Sequence, residues 1–224
     1  MICGWQDELM DDLERFGVFL RPDPQTCAAV TALTGQLQSQ YGLVSAGAFP
    51  PHATLVGSLP LVGGVEGLVA VLDRVLATVA AFEVENEGVQ RLGEVLVYNI
   101  HNRGARPNQD LIDLKCKIDA AVRPLLAPTP PDQLSADVHD PVMWRGHVSL
   151  ATHELFERPE LLDEVEDYVG GLAVPVPATF PAETISLYCF LHPTWSGSWW
   201  RTMRWDYLHS WRLKSPQATA ADAS

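Results

Sequence analysis

Basic residues are scarce in this sequence. Against 28 aspartates and glutamates stand 15 lysines and arginines, a net charge of −13. That balance argues against a long nucleic acid as the main partner, because neutralising a phosphate backbone needs a basic face. A small phosphorylated ligand needs only a few local donors. Long apolar runs are also missing. The longest, "GLVAVLDRVLATVAAF", is interrupted by Asp73 and Arg74, so no membrane partner is expected. The first residues, "MICGWQDELMDDLERF", are acidic and lack a cationic stretch followed by an apolar one, so a cytoplasmic location is expected. Cysteine is limited to Cys3, Cys27, Cys116 and Cys189, with no C-x-x-C pair. This pattern reads as reduced thiols rather than a disulfide framework or a zinc knuckle.

What is present describes a soluble globular chain. Its 224 residues, 47% hydrophobic and 19% charged, suffice for one large domain or a tight pair of lobes. "ERFGVFLRPD" (14–23) reads as a strand ended by Pro22 and Pro24. A helix follows with Ala28, Leu33 and Leu37 on its period, stopping near Gly42. "PHATLVGSL" is the next strand. A helix over 64–81 then carries Val65, Leu68, Val69, Leu72, Val75, Leu76 and Val79 as one stripe. Strands are expected at 82–86 and 94–100, and a helix at 108–126. The Pro- and Asp-rich segment 127–141 reads as a linker. Beyond it come "WRGHVSLAT", a helix over 158–172, and strands near 176–191 and 199–213. In the last strand, alternation assigns Trp199, Met203, Trp205, Tyr207, Trp211 and Leu213 to one face. The tail 215–224 reads as disordered.

One pattern occurs twice: a strand with H-x-T at His52 and Thr54, and a strand with H-x-S at His147 and Ser149, each before a helix. Residues two apart on a strand share a face, about 7 Å apart at Cα. Each strand therefore offers one imidazole and one hydroxyl together. Two similar lobes facing each other would bring both imidazoles to one cleft. There one could take a proton from an attacking oxygen and the other give one to a leaving oxygen, with the hydroxyls donating to phosphate. A third match, His192 with Thr194, is read as chance, because Pro193 and Gly197 suggest a turn. Seven histidines in this composition yield about one such match by accident.

Arg145 is two residues before His147 and could hold phosphate, or be an ordinary surface arginine. Trp144, Tyr188, Trp195, Trp199 and Trp200 could stack on a base, with Trp195 and Trp199 preferred for their place in the loop "HPTWSGSWW". His139, His147 and His153 have no ligand spacing, so no metal is expected. His101 and His209 are assigned no role.

The segments "LQSQYGLVSAGAFPPHATLVGSL", "GHVSLA" and "FPAETISLYCF" together resemble the two-histidine (2H) phosphoesterase superfamily, in particular its plant- and fungal-type cyclic phosphodiesterases. The resemblance implies an α+β fold, bilobal, with two pseudo-symmetric lobes of antiparallel sheet and flanking helices around a central cleft. It implies one domain over 1–214, with halves at 12–126 and 142–214. It also implies hydrolysis, without metal or other cofactor, of a 2′,3′-cyclic nucleotide or an ADP-ribose 1″,2″-cyclic phosphate. By motif match His52 and His147 would be catalytic, and Thr54 and Ser149 would bind phosphate. The expected partner is a small nucleotide and the expected state a monomer. The competing readings are RNA-end processing and a nucleotide-binding module without turnover.

Overall fold

A computed structural model describes residues 14–127 and 143–215. Apart from Ala127 and Ser215, the expected linker and tail lie outside these, as do Cys3 and His139.

The chain opens with β1 (Glu14–Arg21) and α1 (Pro24–Tyr41). Asp23 caps α1 by accepting from the amides of Gln25 and Thr26, and Pro24 supplies the preset φ of a first helical residue. Gly42 ends it at φ 70°, a left-handed conformation that suits glycine, and donates back to the Gln38 carbonyl. The stripe that α1 buries is Thr26, Ala29, Val30, Leu33, Thr34 and Leu37; Ala28 is off it, one position away from the expected period.

Next come β2 (Ala53–Leu59), α2 (Val65–Leu76), β3 (Phe82–Glu85), β4 (Val89–Leu92) and β5 (Val95–Asn99). A short hairpin of β6 (Asn102–Arg103) and β7 (Arg106–Pro107) leads to α3 (Gln109–Val122), capped by Asn108. The second part holds β8 (His147–Ala151), α4 (His153–Glu157), α5 (Leu162–Gly171), β9 (Thr179–Ala182), β10 (Thr184–Leu191) and β11 (Arg204–Arg212).

Seven strands form one antiparallel sheet in the order β11-β10-β1-β2-β8-β5-β4, with β3 and β9 paired separately. The architecture is α+β, with helices flanking antiparallel sheet. Alternation sorts the two sheet faces. Val18, Leu20, Ala53, Leu55, Val148, Leu150, Ile185 and Leu187 join one core with Leu33, Leu37, Leu68, Leu72, Leu114 and Ile118 of the helices. On the opposite face Phe19, Tyr188 and Phe190 make a small aromatic cluster with Phe49, Trp195 and Met203 against it.

Four expectations need correction. β4 was not anticipated, because an edge strand with Gln90, Arg91 and Leu92 exposed carries no apolar run. The expected strand over 176–191 is two, divided at Glu183: β9 pairs with β3, and β10 with β1 and β11. The helix expected over 158–172 is a turn at 159–161 followed by α5, with the short α4 before it. The last strand starts at Arg204, since Trp199–Arg201 is a 3₁₀ turn, and its aromatics do not share a face. A bulge at Leu208, between the pairs Leu187↔His209 and Tyr188↔Tyr207, resets the alternation. Trp205 and Tyr207 thus lie across from Phe190 and Tyr188 on the aromatic face, whereas Trp211 and Leu213 enter the core.

Candidate active site

β2 and β8 stand side by side in the middle of the sheet, registered through the pair Ala53↔Val148. Ala53 and Val148 are 0% and 2% exposed and point into the core. Their neighbours therefore project from the opposite face. Counting outward along an antiparallel pair, Thr54 falls across from His147, and His52 across from Ser149. The two motifs are thus registered crosswise, each histidine falling across from the hydroxyl residue of the other motif.

Each ring is held in the same way. His52 Nδ1 lies 2.7 Å from the Pro50 carbonyl oxygen, and His147 Nδ1 lies 2.7 Å from the Arg145 carbonyl oxygen. A carbonyl only accepts, so the proton sits on Nδ1 and Nε2 is the nitrogen left for chemistry. The Phe19 ring meets His52 edge-on at 4.5 Å, and Phe49 lies 5.9 Å away. Burial pushes the His52 pKa down to about 4, with the Pro50 carbonyl opposing the shift and the charge of His147 adding to it. Burial also lowers the pKa of His147, against the pull of the Arg145 carbonyl. Thr54 is fixed from behind, its carbonyl accepting from the indole of buried Trp144 at 3.1 Å.

The surroundings of the two imidazoles differ. His52, Thr54 and Ser149 line a pocket of about 390 Å³ walled by Phe19, Phe49, Phe156, Phe190, Trp195 and Trp199, with Arg15 and His153 at its side. His147 lines another, of about 230 Å³, together with Arg145, Gln90, Asn99, His101 and Asn102. The aromatic and the polar lining adjoin along β8, on one face of which His147 and Ser149 lie two residues apart.

Trp195 and Trp199 meet edge-on at 5.1 Å, and the Arg15 guanidinium lies 5.8 Å from the Trp195 ring centre. The other stacking candidates are occupied elsewhere: Trp144 as described, Tyr188 inside the aromatic cluster, and Trp200 buried with its indole on Glu154. Arg145 is exposed beside His147 and donates to the Trp144 carbonyl at 3.0 Å. Buried His192 has its Nδ1 on the Thr194 backbone and its Nε2 3.0 Å from the Thr202 hydroxyl. His153 stacks on Trp200. Among the described residues, no three His, Cys, Asp or Glu side chains cluster as metal ligands, and Cys27, Cys116 and Cys189 are free thiols.

Sequence reading missed Phe19, Phe49, Phe156 and Phe190 as walls of the site. The run "RFGVFL" is apolar on both faces, so it carries no sign of which ring points where. It also missed Glu154, whose burial is a tertiary fact.

A family model described as the 2′-5′ RNA ligase superfamily matches residues 22–190. No curated protein matches the chain. Several solved structures share the fold. One is described as a phosphoesterase (13% identity, TM-score 0.50, covering 91% of this chain and 99% of that one). Another is LigT of E. coli in complex with ATP (14%, 0.50, 91% and 99%). A third is TT0787 of Thermus thermophilus (15%, 0.53, 90% and 98%). Identities this low carry a likeness of fold alone.

Proposed function

Since this chain belongs to the 2′-5′ RNA ligase superfamily, the two-histidine phosphoesterases that its motifs resemble, we propose that it hydrolyses a cyclic phosphodiester in a small nucleotide. The 2′,3′-cyclic nucleotides and ADP-ribose 1″,2″-cyclic phosphate are the substrates in view. The observation that carries this reading is the crosswise pair of imidazoles, each with Nδ1 tied to a carbonyl and Nε2 left for the reacting oxygens. One imidazole takes a proton from water as its oxygen attacks phosphorus; the other gives a proton to the ester oxygen as the P–O bond of the ring breaks. Thr54 and Ser149 donate to the non-bridging oxygens. The base stacks among Phe49, Trp195 and Trp199, and Arg145 holds negative charge on the His147 side. The ATP complex of LigT is in keeping with a nucleotide-sized ligand. We take 1–214 as one domain of two halves, acting as a monomer.

RNA-end processing is the second reading. The polar pocket beside His147 favours it, since it leaves room beyond the phosphate for another nucleotide.

Purified protein assayed on 2′,3′-cyclic mononucleotides, ADP-ribose cyclic phosphate and a short cyclic-ended RNA separates these readings. Turnover of a small substrate is expected to survive exhaustive chelation. His52→Ala and His147→Ala should each lose about 10²–10⁴-fold, the worth of a proton-transfer partner. Thr54→Val and Ser149→Ala should lose roughly 10–150-fold, for one or two hydrogen bonds to a charged group. His192→Ala, if folded, should stay near wild type. Equal inactivity of folded His192→Ala and His147→Ala would overturn the assignment.

A further inference from the structure

Glu154 plays no part in the reaction above, yet its side chain is wholly buried. Its Oε1 accepts from the backbone amides of Val44 at 2.9 Å and Ser45 at 3.0 Å, and from the Trp200 indole at 3.2 Å. Its Oε2 accepts from the Ser45 hydroxyl. That hydroxyl in turn lies 2.9 Å from the hydroxyl of Thr152 and, with its own proton committed to Glu154, accepts from it. Burial alone would raise the Glu154 pKa. The Ser45 hydroxyl and the Val44 and Ser45 amides outweigh that and hold it below the ordinary carboxylate value.

These bonds join three segments remote in sequence. Val44 and Ser45 begin the turn that runs to His52; Glu154 belongs to α4, just after β8; Trp200 lies in the turn before β11. Each segment puts a wall into the aromatic pocket: Ala46 and Phe49 from the first, His153 and Phe156 from the second, Trp195 and Trp199 from the third. The His153 ring also stacks on Trp200, centroids 4.6 Å apart and planes 19° from parallel. All three segments, and with them these walls, are anchored where they meet the oxygens of Glu154. Phosphate, by contrast, would meet Thr54, His147 and Ser149, which the sheet and the Arg145 carbonyl fix; of its partners only His52, through Pro50, shares an anchored turn.

We infer that Glu154 is a positioning residue that sets the spacing of the aromatic walls, and so controls affinity for the base of the substrate without controlling affinity for its phosphate. The inference rests on the reading of the aromatic pocket as the base subsite.

Adenosine 2′-monophosphate and inorganic phosphate are suitable probes, each titrated against wild type and variants while tryptophan fluorescence is followed. Glu154→Ala strands at least three buried donors and should weaken the nucleotide about 10–100-fold, with phosphate changed by less than about 3-fold. Glu154→Gln keeps an acceptor at Oε1 and can donate to the Ser45 hydroxyl, so nucleotide affinity should recover to within about 3-fold of wild type. Should the alanine variant fail to fold, Glu154→Asp gives the same split with a smaller nucleotide loss, because a shorter carboxylate cannot reach all four donors. Equal losses for both ligands, or a folded alanine or aspartate variant with wild-type nucleotide affinity, overturn the inference. Wild type that binds the nucleotide but hydrolyses no cyclic phosphate defeats the proposed reaction and leaves the clamp to be decided by the two dissociation constants. Wild type that binds no nucleotide defeats both.

Discussion

A main-chain carbonyl bonded to Nδ1 fixes both the tautomer and the direction of an imidazole, and it does so identically for His52 and His147. Their protonation is the remaining variable. Burial moves both pKa values below the ordinary 6.5, that of His52 to about 4, so at neutral pH the free protein holds both rings largely neutral. One of the pair must carry a proton to act as acid. Bound phosphate is anionic and favours the protonated rings, so it shifts both values upward. The optimum of kcat/KM, which reports the free enzyme, should therefore lie at lower pH than that of kcat, which reports the complex. Profiles of both constants over roughly pH 4–9 check this, and their limbs belong to the pair rather than to either residue. A kcat/KM optimum at or above that of kcat would contradict it. The four polar residues were legible because H-x-[ST] on a strand fixes a common face by itself. The carbonyl partners and the ring environments were not, since they depend on chain paths that no short motif encodes.

Among the elements, β1 brings Arg15 and Phe19 to the aromatic pocket. Phe19 lies back over Gly17, where a Cβ would fall 2.2 Å from the Phe19 ring and 3.2 Å from Phe190. That ring is already boxed in by His52, Tyr188 and Phe190. Gly17→Ala must push Phe19 toward His52, and overpacking of this kind costs about 1–3 kcal/mol. A lowered Tm and a kcat/KM reduced roughly 10-fold are expected. Adding Phe19→Leu should recover part of both, because the two sites share one contact. Unchanged Tm and kcat/KM in Gly17→Ala would contradict this packing. Elements were readable where one face was apolar: α2 buries Leu68, Leu72 and Leu76, all on the stripe expected for it. They were misread where pairing overrides pattern. The bulge at Leu208 splits one alternating run between two faces, and the division at Glu183 makes two strands of one apolar stretch.

For the molecule as a whole, the antiparallel α+β architecture was accessible from the resemblance, and its seven-stranded continuity was not, because the meeting of β2 and β8 rests on a single registered pair. The crosswise register of His52 with Ser149, and of Thr54 with His147, has a consequence for the direction of reaction. Neither ring selects the incoming oxygen, since each offers only an Nε2 that takes or gives a proton. Whichever oxygen arrives, from water or from an alcohol, can be deprotonated by one ring while the other protonates the departing oxygen. The outcome is then a partition between acceptors, governed by their concentrations and by the stability of the products. In aqueous methanol a fraction of the product should be the methyl phosphodiester, rising in proportion to the methanol present and measurable by phosphorus NMR. If water is the sole acceptor at every methanol concentration, the site itself selects the incoming oxygen.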